Sequence, residues 1–182
     1  MLVVGDSLSA EYGLKRGTGW VALLEQRLAR DKRAVRVINA SISGDTTAGG
    51  RARLPALLDQ HRPQVVVIEL GGNDALRGLP LDITRSHLEA MTQQSKARGA
   101  KVLLVGMEVP PNYGQDYTRR FAENYQAVAK AHQVRLVPFM LKGVADVPQS
   151  AQWFQADRIH PNEAAHPIIF QNIWPALKDL LP

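Results

Sequence analysis

Five short apolar runs, separated by stretches with helical spacing, constrain this sequence more than any other feature. Met1 to Val4, Val35 to Ala40, Val65 to Leu70, Lys101 to Met107 and Arg135 to Val137 are mostly β-branched and lack the polar alternation of a half-exposed strand. Runs of this kind read as strands buried on both faces. Between them, apolar stripes at i, i+3, i+4 spacing predict amphipathic helices. The stripes are Trp20, Val21, Leu24 and Leu28; Leu54, Leu57 and Leu58; Ile83, Leu88 and Met91; Phe121, Tyr125, Val128 and His132; and Ile169, Ile173, Leu177 and Leu180. Gly99 is placed to stop the third helix, Pro167 suits the first turn of the last, and Pro175 is expected to kink it. Strands alternating with helices predict an α/β chain with a parallel sheet covered on both faces. Right-handed crossovers then favour a three-layer flavodoxin-like fold, with a five-stranded sheet in the order 2-1-3-4-5. No repeat or composition shift divides residues 1–182, and the length suits one domain.

Composition removes several function classes. With 45% apolar and 21% charged residues the chain is an ordinary globular one, and with no Cys it has no disulfide, thiolate zinc site or cysteine nucleophile. No apolar run is long enough for a membrane-spanning helix. The net charge of +5 invites a nucleic-acid reading, but Arg27, Arg30, Lys32, Arg33 and Arg36 are interleaved with Glu25 and Asp31 and lack nearby aromatics. That cluster reads as a solvated helix end, so no nucleic-acid partner is expected. The charge leaves room for weak attraction to anionic substrates and for transient lipid contact. The chain opens directly on a core strand without a charged, apolar leader. A trimmed mature chain with an added initiator Met would look the same.

In such a sheet, ligands sit beyond the carboxyl ends of the strands. The chemically suggestive residues all fall there. Strand 1 runs into Gly5-Asp6-Ser7-Leu8-Ser9, strand 2 into Ser41-Ile42-Ser43-Gly44-Asp45, strand 3 into Gly71-Gly72-Asn73-Asp74, and the chain beyond strand 5 carries Asp157-Arg158-Ile159-His160-Pro161. Converging, these loops supply what acyl transfer needs: a nucleophile, a base, a group that orients the base, and oxyanion donors. Ser7 is the candidate nucleophile, His160 the base, and Asp157 the carboxylate that holds the imidazole. The backbone amides of Ser7 and Gly44 and the side-chain amide of Asn73 are the candidate oxyanion donors. Taken singly, each motif has a plainer reading. Ser7 and Ser9 suit turns or caps, Asp157 and His160 a capping pair or two metal ligands, Gly71 to Asp74 a loop turn, and Gly44 a helix entry. No third ligand stands at a recognisable spacing, so no metal is assigned. Asp6 reads as a loop organiser, the other histidines as packing or surface residues, and Tyr12 with the three tryptophans as core or rim aromatics.

Together, Gly5-Asp6-Ser7-Leu8-Ser9, Gly44, Gly71-Gly72-Asn73-Asp74 and Asp157-x-x-His160-Pro161 resemble the block motifs of the GDSL, or SGNH, hydrolase family. The segment Val37 to Thr46 is similar to the bacterial multifunctional esterase, thioesterase I and lysophospholipase L1 branch. The resemblance implies a Ser7-His160-Asp157 triad, no metal or organic cofactor, and acyl specificity set partly by Ala75 to Pro80. It also implies a periplasmic or secreted address, as for many members of that branch. Two departures stand out: Glu11 where the branch often has a small residue, expected to alter the mouth of the site, and Arg158 in place of a common Gly, adding bulk and charge near the base.

The expected substrate is a small acyl ester or thioester, with lysophospholipids, acyl-CoA and aryl esters as candidates. Leu76, Leu79, Leu81, Pro110, Pro111 and Tyr113 lie in the two loops expected to line the site, and Ile159 beside the base joins them. This apolar content favours an acyl group over the polar, shallow site of a carbohydrate O-deacetylase, the alternative on the same fold. A non-catalytic flavodoxin-like or receiver-like module would want a phosphate-cradling loop or an acid cluster after strand 1, whereas a single Asp6 stands there.

Overall fold

The computed structural model describes residues 1–182, the side chain of Pro111 excepted. The strands β1 (Leu2–Gly5), β2 (Ile38–Asn39), β3 (Val65–Glu69), β4 (Lys101–Val105) and β5 (Arg135–Val137) form one five-stranded sheet in the order β2-β1-β3-β4-β5. Every neighbouring pair is parallel, with Leu2 beside Val66, Val66 beside Val102, and Leu104 beside Leu136. All residues of β1 and β3 are buried, the apolar ones as a doubly covered sheet requires and Glu69, at the end of β3, with them.

The helices α1 (Trp20–Arg30), α2 (Thr47–His61), α3 (Gly72–Leu76), α4 (Leu81–Ala97), α5 (Gln115–His132) and α6 (His166–Lys178) cover the sheet. Their buried stripes follow the expected spacing in α1, α5 and α6. Thr46 caps α2 by accepting from the Gly49 amide at 3.3 Å, and Gly99, with φ of 78°, follows α4. Pro175 lies inside α6, which continues to Lys178.

Three expectations need correcting. The second strand is two residues long instead of six, because it is the sheet edge and pairs only with β1; single bonds from Ala40 to Val3 and from Ile42 to Gly5 extend it irregularly. Ile83 is 47% exposed, and α4 buries Leu81, Thr84, Leu88, Met91, Thr92 and Ser95 instead. The hydroxyls of Thr92 and Ser95 donate to the carbonyls of Leu88 and Met91, four residues back, so polar residues enter the core without orphaned groups. Finally, Gly71 to Asp74 is more than a turn: it opens the short helix α3.

His166, read as a packing or surface residue, is buried and joins both ends of the chain. Its Nδ1 accepts from the backbone amide of Trp20 at 3.0 Å, capping α1, whose own N-cap Gly19 has no side chain. Burial lowers its pKa from 6.5 to about 4, with Glu11 and Glu163 opposing. The unfolded chain therefore takes up a proton near 6.5 that the folded protein refuses until about 4. Stability from this group is complete above the higher value and is lost as pH falls toward the lower one. Relative to His166→Asn, which keeps an acceptor but does not titrate, the natural protein should lose about 3 kcal/mol between pH 7 and pH 4 in urea unfolding. A pH-independent difference would contradict this role.

Candidate active site

The site is assembled on a buried acid. Glu69 ends β3 directly beside Gly5, the last residue of β1. Its carboxylate takes the space a side chain at position 5 would need: a Cβ there would lie 2.7 Å from Glu69 Oε2, so glycine is required. That oxygen accepts from Ser9 Oγ at 2.7 Å and from the Asp6 amide at 3.3 Å, while Trp20 Nε1 donates to Ser9 Oγ at 3.1 Å. Asp6 in turn accepts from the Leu8 amide and from Asn73 Nδ2, each at 3.0 Å. Asp6 and Glu69 are both 2% exposed. Burial pushes Glu69 well above the usual carboxylate range, reinforced by the charge of Asp6. Burial also pushes Asp6 up to about 6, although the Leu8 amide, His160, Glu69 and Asn73 pull it back. The two buried carboxyls are therefore both held above the ordinary carboxylate range, each by burial first.

Above this base, Ser7 Oγ lies 2.9 Å from His160 Nε2, and His160 Nδ1 lies 2.6 Å from Asp157 Oδ2. The other Asp157 oxygen accepts from the amides of Ile159 and His160 at 2.9 and 3.0 Å, so one short loop orients both carboxylate and imidazole. Desolvation opposes the ionised form of Asp157, but the His160 amide, the imidazole and the Ile159 amide outweigh it and hold the carboxyl at about 2. Gln155 Nε2 donates to the carbonyls of Tyr12 and Pro161, tying this loop to the one that leaves Ser7.

Asn73 lies on α3 and gives its two amide protons to Asp6 Oδ2 and the Asp45 carbonyl, both at 3.0 Å. This places it against the Gly44-Asp45 turn. Gly71 makes the approach feasible: its φ is 121°, and a Cβ there would lie 2.4 Å from the Tyr125 hydroxyl, which donates to the Leu70 carbonyl. Arg77 Nη2 donates to the Gly44 carbonyl at 2.9 Å, so the segment after α3 is fastened over the same turn. Ser7, Gly44, Asn73, Asp157 and His160 thus gather at the carboxyl edge of the sheet.

Leu76 at the end of α3 is exposed, as are Pro110, Tyr113 and Ile159, and Leu79 is half-buried. Leu81, expected beside them, belongs to the core, because it opens the buried stripe of α4. The Pro111 side chain lies outside the described residues. Of the two departures, Glu11 and Arg158 both have φ of 58°, the left-handed region that favours glycine. Glu11 folds back, accepting from the amides of Gly17 and Gly19, and organises its own loop. Glu69 and Gln155 were not singled out from the sequence. An acid inside the apolar run Val65 to Leu70 was the available signal for the first; Gln155 offered none.

A hydroxyl, an imidazole and a carboxylate in one hydrogen-bonded line, beyond the carboxyl ends of a 2-1-3-4-5 parallel sheet, define a serine hydrolase. The chain belongs to the GDSL-like Lipase/Acylhydrolase family, which it matches over residues 3–168. It is 54% identical over 181 residues to Esterase TesA of Pseudomonas aeruginosa, covering 100% of this chain and 89% of the relative. It is 45% identical over 169 residues to Thioesterase 1/protease 1/lysophospholipase L1 of Escherichia coli K12, covering 93% of this chain and 78% of the relative. Its fold superposes on the crystal structure of TesA with a TM-score of 0.94, over 99% of this chain and 98% of that one.

The base of the site generates a stability prediction. Glu69→Leu leaves the Ser9 hydroxyl and Asp6 amide without their buried acceptor and should cost about 1–3 kcal/mol in denaturant unfolding. Glu69→Gln, neutral and still an acceptor, should recover most of that loss. Equal losses in the two variants would show that the hydrogen bonds are immaterial.

Proposed function

We propose that this chain hydrolyses carboxylic esters and thioesters of acyl chains through an acyl-enzyme on Ser7. The observation that carries the proposal is the line from Ser7 Oγ through His160 to Asp157, with spacings of 2.9 and 2.6 Å. His160 Nε2 takes the hydroxyl proton as Oγ attacks the acyl carbon, and Asp157 stabilises the imidazolium that forms. The carbonyl oxygen becomes an oxyanion, received by the Asn73 side-chain amide and the backbone amides of Gly44 and Ser7. Collapse expels the alcohol or thiol, which takes the proton from Nε2. Water, deprotonated by the same nitrogen, then attacks the ester carbonyl on Ser7; the bond to Oγ breaks, Oγ takes the proton back from Nε2, and the acid leaves.

The apolar side chains around the mouth support an acyl substrate. Tyr12, Ile42, Leu76, Tyr113 and Ile159 are all exposed, on the loops and the end of α3 at the carboxyl edge. The Tyr117 hydroxyl donates to the Ala75 carbonyl at 3.4 Å, so the first turn of α5 borders the segment after Asn73. Such a rim suits methylenes better than a sugar. The names esterase and thioesterase/lysophospholipase carried by the relatives agree with this reading. A periplasmic or secreted address belongs to the same proposal and rests on the resemblance to exported members of the branch. Transient contact with lipid follows if the acyl donor is a lysophospholipid.

Hydrolysis of acetyl through dodecanoyl p-nitrophenyl esters, an acyl-CoA and an acetylated sugar tests the substrate class. Acyl esters and the thioester should turn over, and Ser7→Ala should lower kcat by ~10⁴-fold or more with the fold retained. Turnover of the acetylated sugar alone would overturn the acyl assignment, and an active, folded Ser7→Ala would overturn the mechanism.

Leu76, 41% exposed at the end of α3, has little packing to lose. Each methylene it covers is worth up to ~0.8 kcal/mol. Leu76→Ala should therefore reduce kcat/KM for dodecanoyl esters several-fold more than for acetyl esters, with an unchanged Tm. Equal losses at every chain length would place the acyl groove elsewhere.

A further inference from the structure

Tyr12 is 50% exposed, yet its ring lies against the imidazole of His160, with centroids 4.4 Å apart and planes inclined by 39°. Its backbone is held on two sides. The Tyr12 amide donates to the Ser7 carbonyl at 3.3 Å, so the residue hangs from the nucleophile's own turn. Gln155 Nε2 binds the Tyr12 carbonyl at 2.9 Å and the Pro161 carbonyl at 3.0 Å, bridging to the residue that follows His160. The neighbouring Gly13 has φ of 70°, and a Cβ there would lie 2.1 Å from Gln155 Oε1, so the bridge closes only over glycine. Burial does not account for a half-exposed aromatic held this way; the face of His160 does.

We propose that Tyr12 is a positioning residue for acyl transfer, its ring bracing His160 and stabilising the imidazolium formed when Ser7 gives up its proton. This rests on the reading of Ser7 as nucleophile and His160 as base. When Oγ bonds to the acyl carbon, the proton moves to Nε2 and the ring becomes a cation until the leaving group takes that proton. A cation within about 6 Å of an aromatic face is attracted by the ring's quadrupole. The other groups facing the imidazole are Ser7 at Nε2, Asp157 at Nδ1, and the buried carboxylate of Asp6, which interacts with it through charge. The two carboxylates favour the same imidazolium, so the tyrosine adds to an existing stabilisation.

The test compares the natural protein with Tyr12→Phe and Tyr12→Leu by two readouts. NMR titration of the His160 ring reads the contact without requiring catalysis, and kcat and KM on p-nitrophenyl acetate read its use, with an acyl group too short to engage a groove. Tyr12→Leu should lower the titration midpoint by about half a pH unit and kcat by about two- to fivefold, with KM little changed. Tyr12→Phe should restore both. An unmoved midpoint in folded Tyr12→Leu would overturn the proposal while leaving the nucleophile and base in place. A Phe variant that behaves like Leu would overturn it too, by making the hydroxyl rather than the ring responsible. So would a loss confined to KM on p-nitrophenyl acetate, which would make Tyr12 a binding surface for the ester. Loss of the serine mechanism would instead show as hydrolysis surviving Ser7→Ala.

Discussion

One buried carboxyl group, that of Glu69, joins the two central strands to the loop that carries Ser7. Placing an acid between β1 and β3 has a large desolvation cost, which raises its pKa and is offset by hydrogen bonds from Ser9 and the Asp6 amide. The consequences spread outward. Position 5 must be glycine because the carboxyl occupies its side-chain space; Ser9 must carry a hydroxyl; and Trp20, at the start of α1, is hydrogen-bonded to that hydroxyl. Through Asp6 the same network reaches Asn73, so the strand that leads to Ser7 and the helix that carries Asn73 share one polar base.

This coupling bears on electrostatic preorganisation. In the free protein both amide protons of Asn73 have partners, one on the Asp6 carboxylate and one on the Asp45 carbonyl. The amide is thereby held in place, and under the proposed mechanism an oxyanion would have to share one of those protons or displace its present acceptor. A preoriented donor avoids reorganisation as charge develops, which is how such groups stabilise a transition state. Arg77 fastens the far side of the Gly44 turn in the same way. On the other side of Ser7, the loop Asp157 to His160 carries carboxylate and imidazole together, so the imidazole is oriented locally and does not depend on a distant strand.

Most of this was legible where one periodicity or one convergent pattern dominated. The apolar runs of β1 and β3, doubly buried, imply a parallel sheet and its order, and the carboxyl-edge rule gathers Ser7, Gly44, Asn73, Asp157 and His160 from the sequence alone. The edge strand β2 was overestimated because Val35 and Val37 are apolar for packing, not for pairing. Ile83 misled because the core side of α4 uses Thr84, Thr92 and Ser95, whose hydroxyls are satisfied within the fold. His166 and Gln155 were invisible for another reason. Their roles depend on partners up to 146 residues away, and no local spacing encodes such contacts.

The central claim is that a single hydroxyl, Ser7 Oγ, forms the covalent intermediate. Its most direct test is intact-mass and peptide mass spectrometry after treatment with an alkyl phosphonate that reports on activated serines. The structure predicts one adduct per chain, mapped to Ser7, with loss of ester hydrolysis in proportion to labelling. An adduct on another residue, or full inhibition without a covalent adduct, would contradict it.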